Sequence, residues 1–473
     1  GSELMAKGIL NAGDSLSRLV VWNQTDGALS NINSTTTSSV SLVNLKIIDS
    51  DELLDENSKI LFYLNTPFEI ELLDSTYSYQ SHPYSEREYF MVTATGANLY
   101  DNKMSLFLYQ GQPSTRDINE SAQIWVYDTA IVNLVSTGRR WFGDLYDFTT
   151  VRTYTLPFMP KTGAPLEIEV SAVARASTSN TSLSIVGAGS IVFPAVGTSS
   201  VSHYVTEKTL KSSLLQSSAT PQVSLSYEKG GNASAAMWLD KIIVNYRTSN
   251  QYQSSDQAQK RFQNFARGSG SVSLIKVSYS DNQPLVFEIT DKKEVTEISS
   301  INSTGVVSWE SSEDVNREYV LCVADDAYLP KFEGISALNQ MPYYSGIVNL
   351  IIAPDSLMSQ ANRLANIHAV SGLQTKAISL ENIYALINCG TPDIAAIRRF
   401  LFELKSTYAQ DLRYLTLFGD ASFDYKDKLP NRSNLVPTFE SYGSFSLYSS
   451  YITDDYFGYL DEGEGINWFS ENL

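Results

Sequence analysis

Cysteine and histidine are both scarce in this chain of 473 residues, with two of the first and three of the second. Cys322 and Cys389 cannot build a disulfide framework, and their spacing fits no zinc-ligand pattern. Cys322 sits in the strand-like run Tyr319-Val-Leu-Cys-Val-Ala324, where a small buried hydrophobe is the ordinary role of a free thiol. No apolar run reaches the roughly 18 residues of a membrane-spanning helix. Charged residues make up only 18%, and the net charge is −18. With no clustered Lys and Arg to meet phosphates, nucleic acid is excluded as a partner. A Gly-x-Ser-x-Gly elbow and a Gly-rich phosphate loop are also missing.

The place of charge is taken by Ser, Thr, Asn and 28 Tyr, which suit exposed, half-buried β structure. Leu166, Ile168, Val170, Ala172 and Ala174 alternate with Glu167, Glu169, Ser171 and Val173, the period of a strand with one buried face. Val223, Leu225 and Tyr227 alternate likewise before the turn cluster Lys229-Gly-Gly-Asn232. Residues 60–64, 88–94, 103–109, 241–246, 272–278 and 284–289 are further strands. The spacing predicts a multidomain chain whose region 46–330 is β-rich, of sandwich or jelly-roll type, in one or two domains. Residues 1–45 form an unassigned segment, with 31–41 read as a mobile Ser/Thr-rich loop. The best helical pattern in this half is 254–267.

From residue 340 the grammar changes. Ile347-Val-Asn-Leu-Ile-Ile-Ala353 is a continuous apolar run, as in a central parallel strand. Leu357, Ala361, Leu364, Ala365 and His368 then follow helical spacing, with Gly372 placed as a cap. After a strand at 373–379, Thr391-Pro-Asp393 opens a second helix with Thr as cap and Pro in the first position. Its apolar face is Ile394, Ile397, Leu401 and Leu404, and it leads into the strand Tyr414–Phe418. The order β-α-β-α-β predicts a parallel α/β sheet over 340–473.

Candidate chemistry gathers after that last strand. Asp420 and Asp424 follow the break at Gly419, at the sheet edge where ligands collect in α/β folds. Each can orient a substrate or metal, or cap its own turn. Asp454-Asp455 pose the same choice, between a calcium site and an Asx turn. His368 falls on the inward face of its helix, His82 precedes Pro83, and His203 lies in a Ser-rich stretch. Cys389 sits in a turn between two helical segments, and nothing in the sequence brings it to a histidine.

Leu417-Phe-Gly-Asp-Ala-Ser-Phe-Asp-Tyr425, Asn434-Leu-Val-Pro-Thr438 and Ser449-Ser-Tyr-Ile-Thr-Asp-Asp-Tyr-Phe-Gly458 resemble the gingipain-like cysteine peptidases of the Bacteroidetes, nearest to the sortases of type IX secretion. His82-Pro-Tyr-Ser-Glu-Arg-Glu-Tyr-Phe90, Trp141-Phe-Gly-Asp-Leu-Tyr-Asp-Phe148, Trp238–Arg247, Val286–Asp291 and Ser359–Ala365 are similar to stations along the same family, in order, over residues 45–465. The resemblance implies a caspase-like domain, incomplete here at its C-terminus. Its Cys-His pair, with the His in a Gly-His-Gly type motif, follows the Asp-Asp-Tyr-Phe-Gly segment, so both are expected beyond Leu473.

No catalytic residue is therefore assigned, and the chain by itself is expected to be inactive. Gly419, Asp420, Asp424, Asp454 and Asp455 become a motif and support loop. No cofactor is implied, with a structural calcium at Asp454 and Asp455 left open. The implied partners are secreted cargo with a C-terminal sorting domain, outer-membrane secretion components and a lipopolysaccharide acceptor. The implied location is the cell surface. Gly1-Ser2 reads as a cloning remnant that replaced a signal peptide. The rival readings are a secreted binding or scaffold module and a plain gingipain-like protease.

Overall fold

The computed structural model describes the chain except for residues 25–26, 35–39, 49–50, 65–66, 97–101, 109, 112, 198–202, 216–219, 254–259, 269, 337–339, 431–433, 444, 446–449 and 466–473. It begins with a small β unit. Leu19–Gln24 is the central strand, flanked in antiparallel by Val40–Leu42 and Phe90–Ala94. Leu10, Leu16, Leu19, Val21, Val43, Leu45 and Leu54 close its core, which gives the first 45 residues a packed role.

A sandwich follows, built from two antiparallel sheets. One orders Glu120–Tyr127, Ala236–Ser249, Pro165–Arg175 and Thr206–Leu215; the other orders Val151–Thr155, Gln222–Glu228, Thr181–Ile185 and Ser190–Phe193. The alternation read from Leu166 to Ala174 points inward as expected, and Val223, Leu225 and Tyr227 meet it from the opposite sheet. Ala172 and Val173 are both buried, and the register against Ala236–Ser249 shifts by one residue at Ser171/Ala172. Val173, on the opposite face by strand alternation, is covered by a second cluster with Phe142 and Val205.

Two further five-stranded sheets pack around Trp309, Phe262, Tyr319 and Leu321. Cys322 ends one of their strands, Arg317–Cys322, and is buried. The helix expected at 254–267 is not formed over Arg261–Asn264, which is a strand paired with Arg317–Cys322. Phe262, Gln263 and Asn264 are all buried there, and cross-strand pairing outweighs a weak local helical pattern. Residues 260 and 265–267 are not helical either, and 254–259 lie outside the described residues.

The α/β domain has a parallel sheet in the order Thr375–Ser379, Asn349–Ala353, Tyr414–Leu417. Asn349–Ala353 is central and buried throughout. The helix Met358–Val370 packs Ala361 and Ala365 onto one face of it. Leu380–Asn388 and Ile394–Glu403 cover the other face with Ile383, Ile387, Ile394, Ile397, Phe400 and Leu401. The second of these starts two residues later than the Thr-Pro pattern suggests. Asp393 is its cap, accepting a 2.8 Å hydrogen bond from the Ala395 N–H, because a carboxylate serves the open helix end better than Thr391 placed before the proline.

Candidate functional site: the motif loops and their interdomain seat

Gly419 ends the Tyr414–Leu417 strand region where Leu435 and Val436 cross close by. A Cβ at this position would stand 3.0 Å from Leu435 Cβ and 3.1 Å from Val436 Cγ2, so only glycine fits without displacement. The Asp420 carbonyl then accepts the N–H groups of Leu435 at 2.9 Å and Val436 at 3.3 Å, while the residue itself is exposed. Asp424 is wholly buried. Its two carboxylate oxygens accept the N–H of Lys428 at 2.9 Å and of Leu429 at 2.6 Å, closing the turn that follows. Asp454 accepts the Thr438 hydroxyl at 2.6 Å, and Asp455 is exposed, its N–H donating to Thr453 Oγ1. Asp424 therefore caps its own turn, whereas Asp454 bonds the distant Thr438 hydroxyl rather than closing an Asx turn. Among the described residues no group of three His, Cys, Asp or Glu side chains is arranged to hold a metal ion.

These loops are seated on the β-rich region through the same motifs that stood apart in sequence. Tyr84 packs edge-on against Tyr425 at 5.0 Å between centroids, and Trp141 stacks on Phe423 at 5.8 Å. Glu440 accepts the Gly138 N–H at 2.7 Å and the Thr137 hydroxyl at 3.1 Å. Arg139 lies over the Phe439 ring and reaches the Tyr84 hydroxyl at 3.1 Å. Lys428 pairs with Glu86 at 2.7 Å. Burial holds the neighbouring Lys426 amine below its usual range, and Lys428 beside it adds to this.

His82, which precedes Pro83, is buried in this seam. Its Nδ1 accepts the N–H groups of Tyr84 and Ser85 at 3.1 and 3.0 Å, which places the ring proton on Nε2. Nε2 faces Asp393 Oδ2 at 3.7 Å, too far for a hydrogen bond. Burial pushes the His82 pKa down to about 3 and that of Asp393 up to about 7, so proximity does not make this an ion pair at neutral pH. His368 is half-buried, with Nδ1 3.4 Å from Asn349 Nδ2. No histidine nitrogen is hydrogen-bonded to a cysteine sulfur among the described residues.

Both thiols are unsuited to attack. Cys389 caps the Leu380–Asn388 helix in a left-handed conformation, and burial pushes its thiol up to about 12. Cys322 is pushed up to about 11, also by burial. A nucleophilic cysteine needs the opposite, an exposed and electropositive setting.

A further contact with the α/β domain comes from near the start of the chain. Residues 29–33, of which 31–33 belong to the stretch read as a mobile loop, lie along the α/β domain: Asn31 and Asn33 are buried, and Leu29 packs against the domain's core. Residues 35–39 of that stretch lie outside the described residues. A polar Ser/Thr/Asn run carries no periodicity, so only the two asparagines in tandem spacing hint at a backbone-binding role.

Residues 344–470 match peptidase family C25, the gingipain family. The crystal structure of dimeric latent PorU from Porphyromonas gingivalis superposes with a TM-score of 0.72 at 19% identity. That match covers 95% of this chain, and the chain spans 44% of the length of that structure. A structure of infectious bursal disease virus Gt strain aligns over 77% of this chain and 72% of its own at 9% identity, but its TM-score of 0.10 denotes no shared fold. No curated protein matches the chain. Among the described residues no helix is long and apolar enough to cross a membrane. Residues 344–470, which fold as the α/β domain, thus match peptidase family C25, and the chain as a whole shares the fold of PorU.

Proposed function

We propose that this chain is the β-rich region and the first α/β part of a cell-surface cysteine peptidase of sortase type. The whole protein removes the C-terminal sorting domain from cargo of type IX secretion and transfers the new carboxyl end to an amine on anionic lipopolysaccharide. A thiolate attacks the scissile carbonyl, the sorting domain leaves with the transferred proton, and an amine in place of water resolves the acyl-enzyme. The observation that carries this reading is the PorU-like fold over 95% of the chain, with a C25 domain inside it.

The burial of Cys322 and Cys389 supports a nucleophile other than these two, outside this sequence. Gly419, Asp420, Asp424, Asp454 and Asp455 then serve as a support loop for the C25 sheet edge. The β-rich domains orient cargo and secretion partners. The test is to incubate the full-length protein with cargo and a primary-amine acceptor and to weigh the products. Cargo joined to the amine is the expected result. Cargo that is cut but never joined, whichever acceptor is supplied, would reduce the protein to a plain protease.

A further inference from the structure

Gln24 and Val40 are paired neighbours on antiparallel strands, yet fifteen residues separate them. A hairpin between such strands needs only about two to five residues. Of this excess the structure describes Gly27–Asn33 and Ser34, and they leave their own sheet to lie across the α/β domain. The Leu29 N–H donates to Asp393 Oδ2 at 2.9 Å. Asn31 Oδ1 accepts the buried Tyr456 hydroxyl at 2.6 Å. Asn33 exchanges backbone hydrogen bonds with the next segment, donating to the Glu464 carbonyl at 2.9 Å and accepting from Gly463 at 3.0 Å. Its side-chain Nδ2 adds bonds to the carbonyls of Tyr459 at 2.8 Å and Asp461 at 3.0 Å.

Within the gripped segment Leu460 packs on the α/β core, and Asp461 and Glu464 close a turn on each other. Tyr456 and Phe457 are buried, but Tyr459 and residues 461–465 are exposed and form neither helix nor extended strand. Gly465 pairs with Ile32 in an isolated bridge at φ +148°, and any side chain there would collide with the Asn31 carbonyl oxygen. So the fit is mutual: the loop supplies asparagines that bind backbone, and the segment supplies a glycine where the two chains touch.

We propose that residues 27–34 are an interdomain clasp that makes the order of Tyr456–Gly465, the segment leaving the Asp454–Gly458 motif, conditional on the β-rich region. A partner that takes hold of this loop would release the segment without unfolding the sheet behind it. The inference stands on these contacts and holds whether or not the α/β domain belongs to a sortase.

Hydrogen exchange on the intact chain tests it, comparing the parent with Asn33→Ala and, separately, Asn31→Ala. Asn33→Ala removes two side-chain bonds to the segment, and Asn31→Ala leaves the Tyr456 hydroxyl buried without its acceptor. Amides of 457–465 should exchange about tenfold faster or more in each variant, while those of Leu350–Ala353 stay unchanged. Asn232→Ala, which breaks a side-chain turn remote from the clasp, should leave both sets unchanged. Unaltered exchange at 457–465 would overturn the proposal. Equal acceleration of the Leu350–Ala353 amides would overturn it too, since the segment would then open only with the whole domain.

Discussion

Asp424 shows how one buried carboxylate can look catalytic in sequence and be structural in space. It sits beyond a parallel strand, where α/β folds place their chemistry, yet both oxygens are taken by the Lys428 and Leu429 N–H groups. Replacing it with alanine would leave two part-buried donors without acceptors. The expected loss is about 2–4 kcal/mol, from roughly 1–3 kcal/mol for each unmet group with partial relaxation. Asp420→Ala, at an exposed carboxylate, should cost less than about 0.5 kcal/mol. Urea unfolding of the two variants checks this contrast, and equal losses would contradict the assignment. Gly419 is legible for a different reason: its break in the apolar run is visible, but the crossing Leu435 that requires it is not.

At the scale of elements, the Ile394–Glu403 helix begins against a buried His82–Asp393 contact whose members titrate in opposite senses. His82 has a folded pKa of about 3 against 6.5 when free, so the unfolded chain binds the extra proton and stability falls as pH drops from about 6.5 toward 3. Asp393 has a folded pKa of about 7 against 3.8, so the folded chain holds the extra proton. Its contribution is full below 3.8 and is lost as pH rises toward 7. Between pH 4 and 6.5 the two slopes oppose, each limited to about 1.4 kcal/mol per pH unit. Relative to the parent, His82→Gln should therefore lose stability with rising pH across this window, and Asp393→Asn should gain it. Chemical denaturation at pH 4.5 and 6.5 measures both, and slopes of the same sign would refute the assignment.

The elements themselves were largely readable. Strand alternation in the sandwich and the apolar run at Asn349–Ala353 depend on local period, which sequence carries directly. The cap of the Ile394–Glu403 helix was misplaced by two residues because Thr391 and Asp393 are both good caps, and the long-range bond from the Leu29 N–H that also holds Asp393 is invisible in sequence. The strand at Arg261–Asn264 was missed because its stability comes from its neighbour, Arg317–Cys322.

Across the whole molecule, motifs hundreds of residues apart assemble into one seam: Tyr84 against Tyr425, Trp141 against Phe423, Gly138 against Glu440. No periodicity encodes such contacts, so the sequence supplied the participants in order but not their meeting. The seam accounts for the motif residues through packing and backbone hydrogen bonds. The chain's two thiols are buried, one in a sheet and one at a helix end. Thiol labelling of the native chain tests that placement most directly. With an alkylating probe at neutral pH, Cys322 and Cys389 should both stay unlabelled, with or without cargo, and both should label fully once the chain is unfolded. Rapid, cargo-dependent labelling of either cysteine in the native chain would contradict the account and put the nucleophile within this sequence.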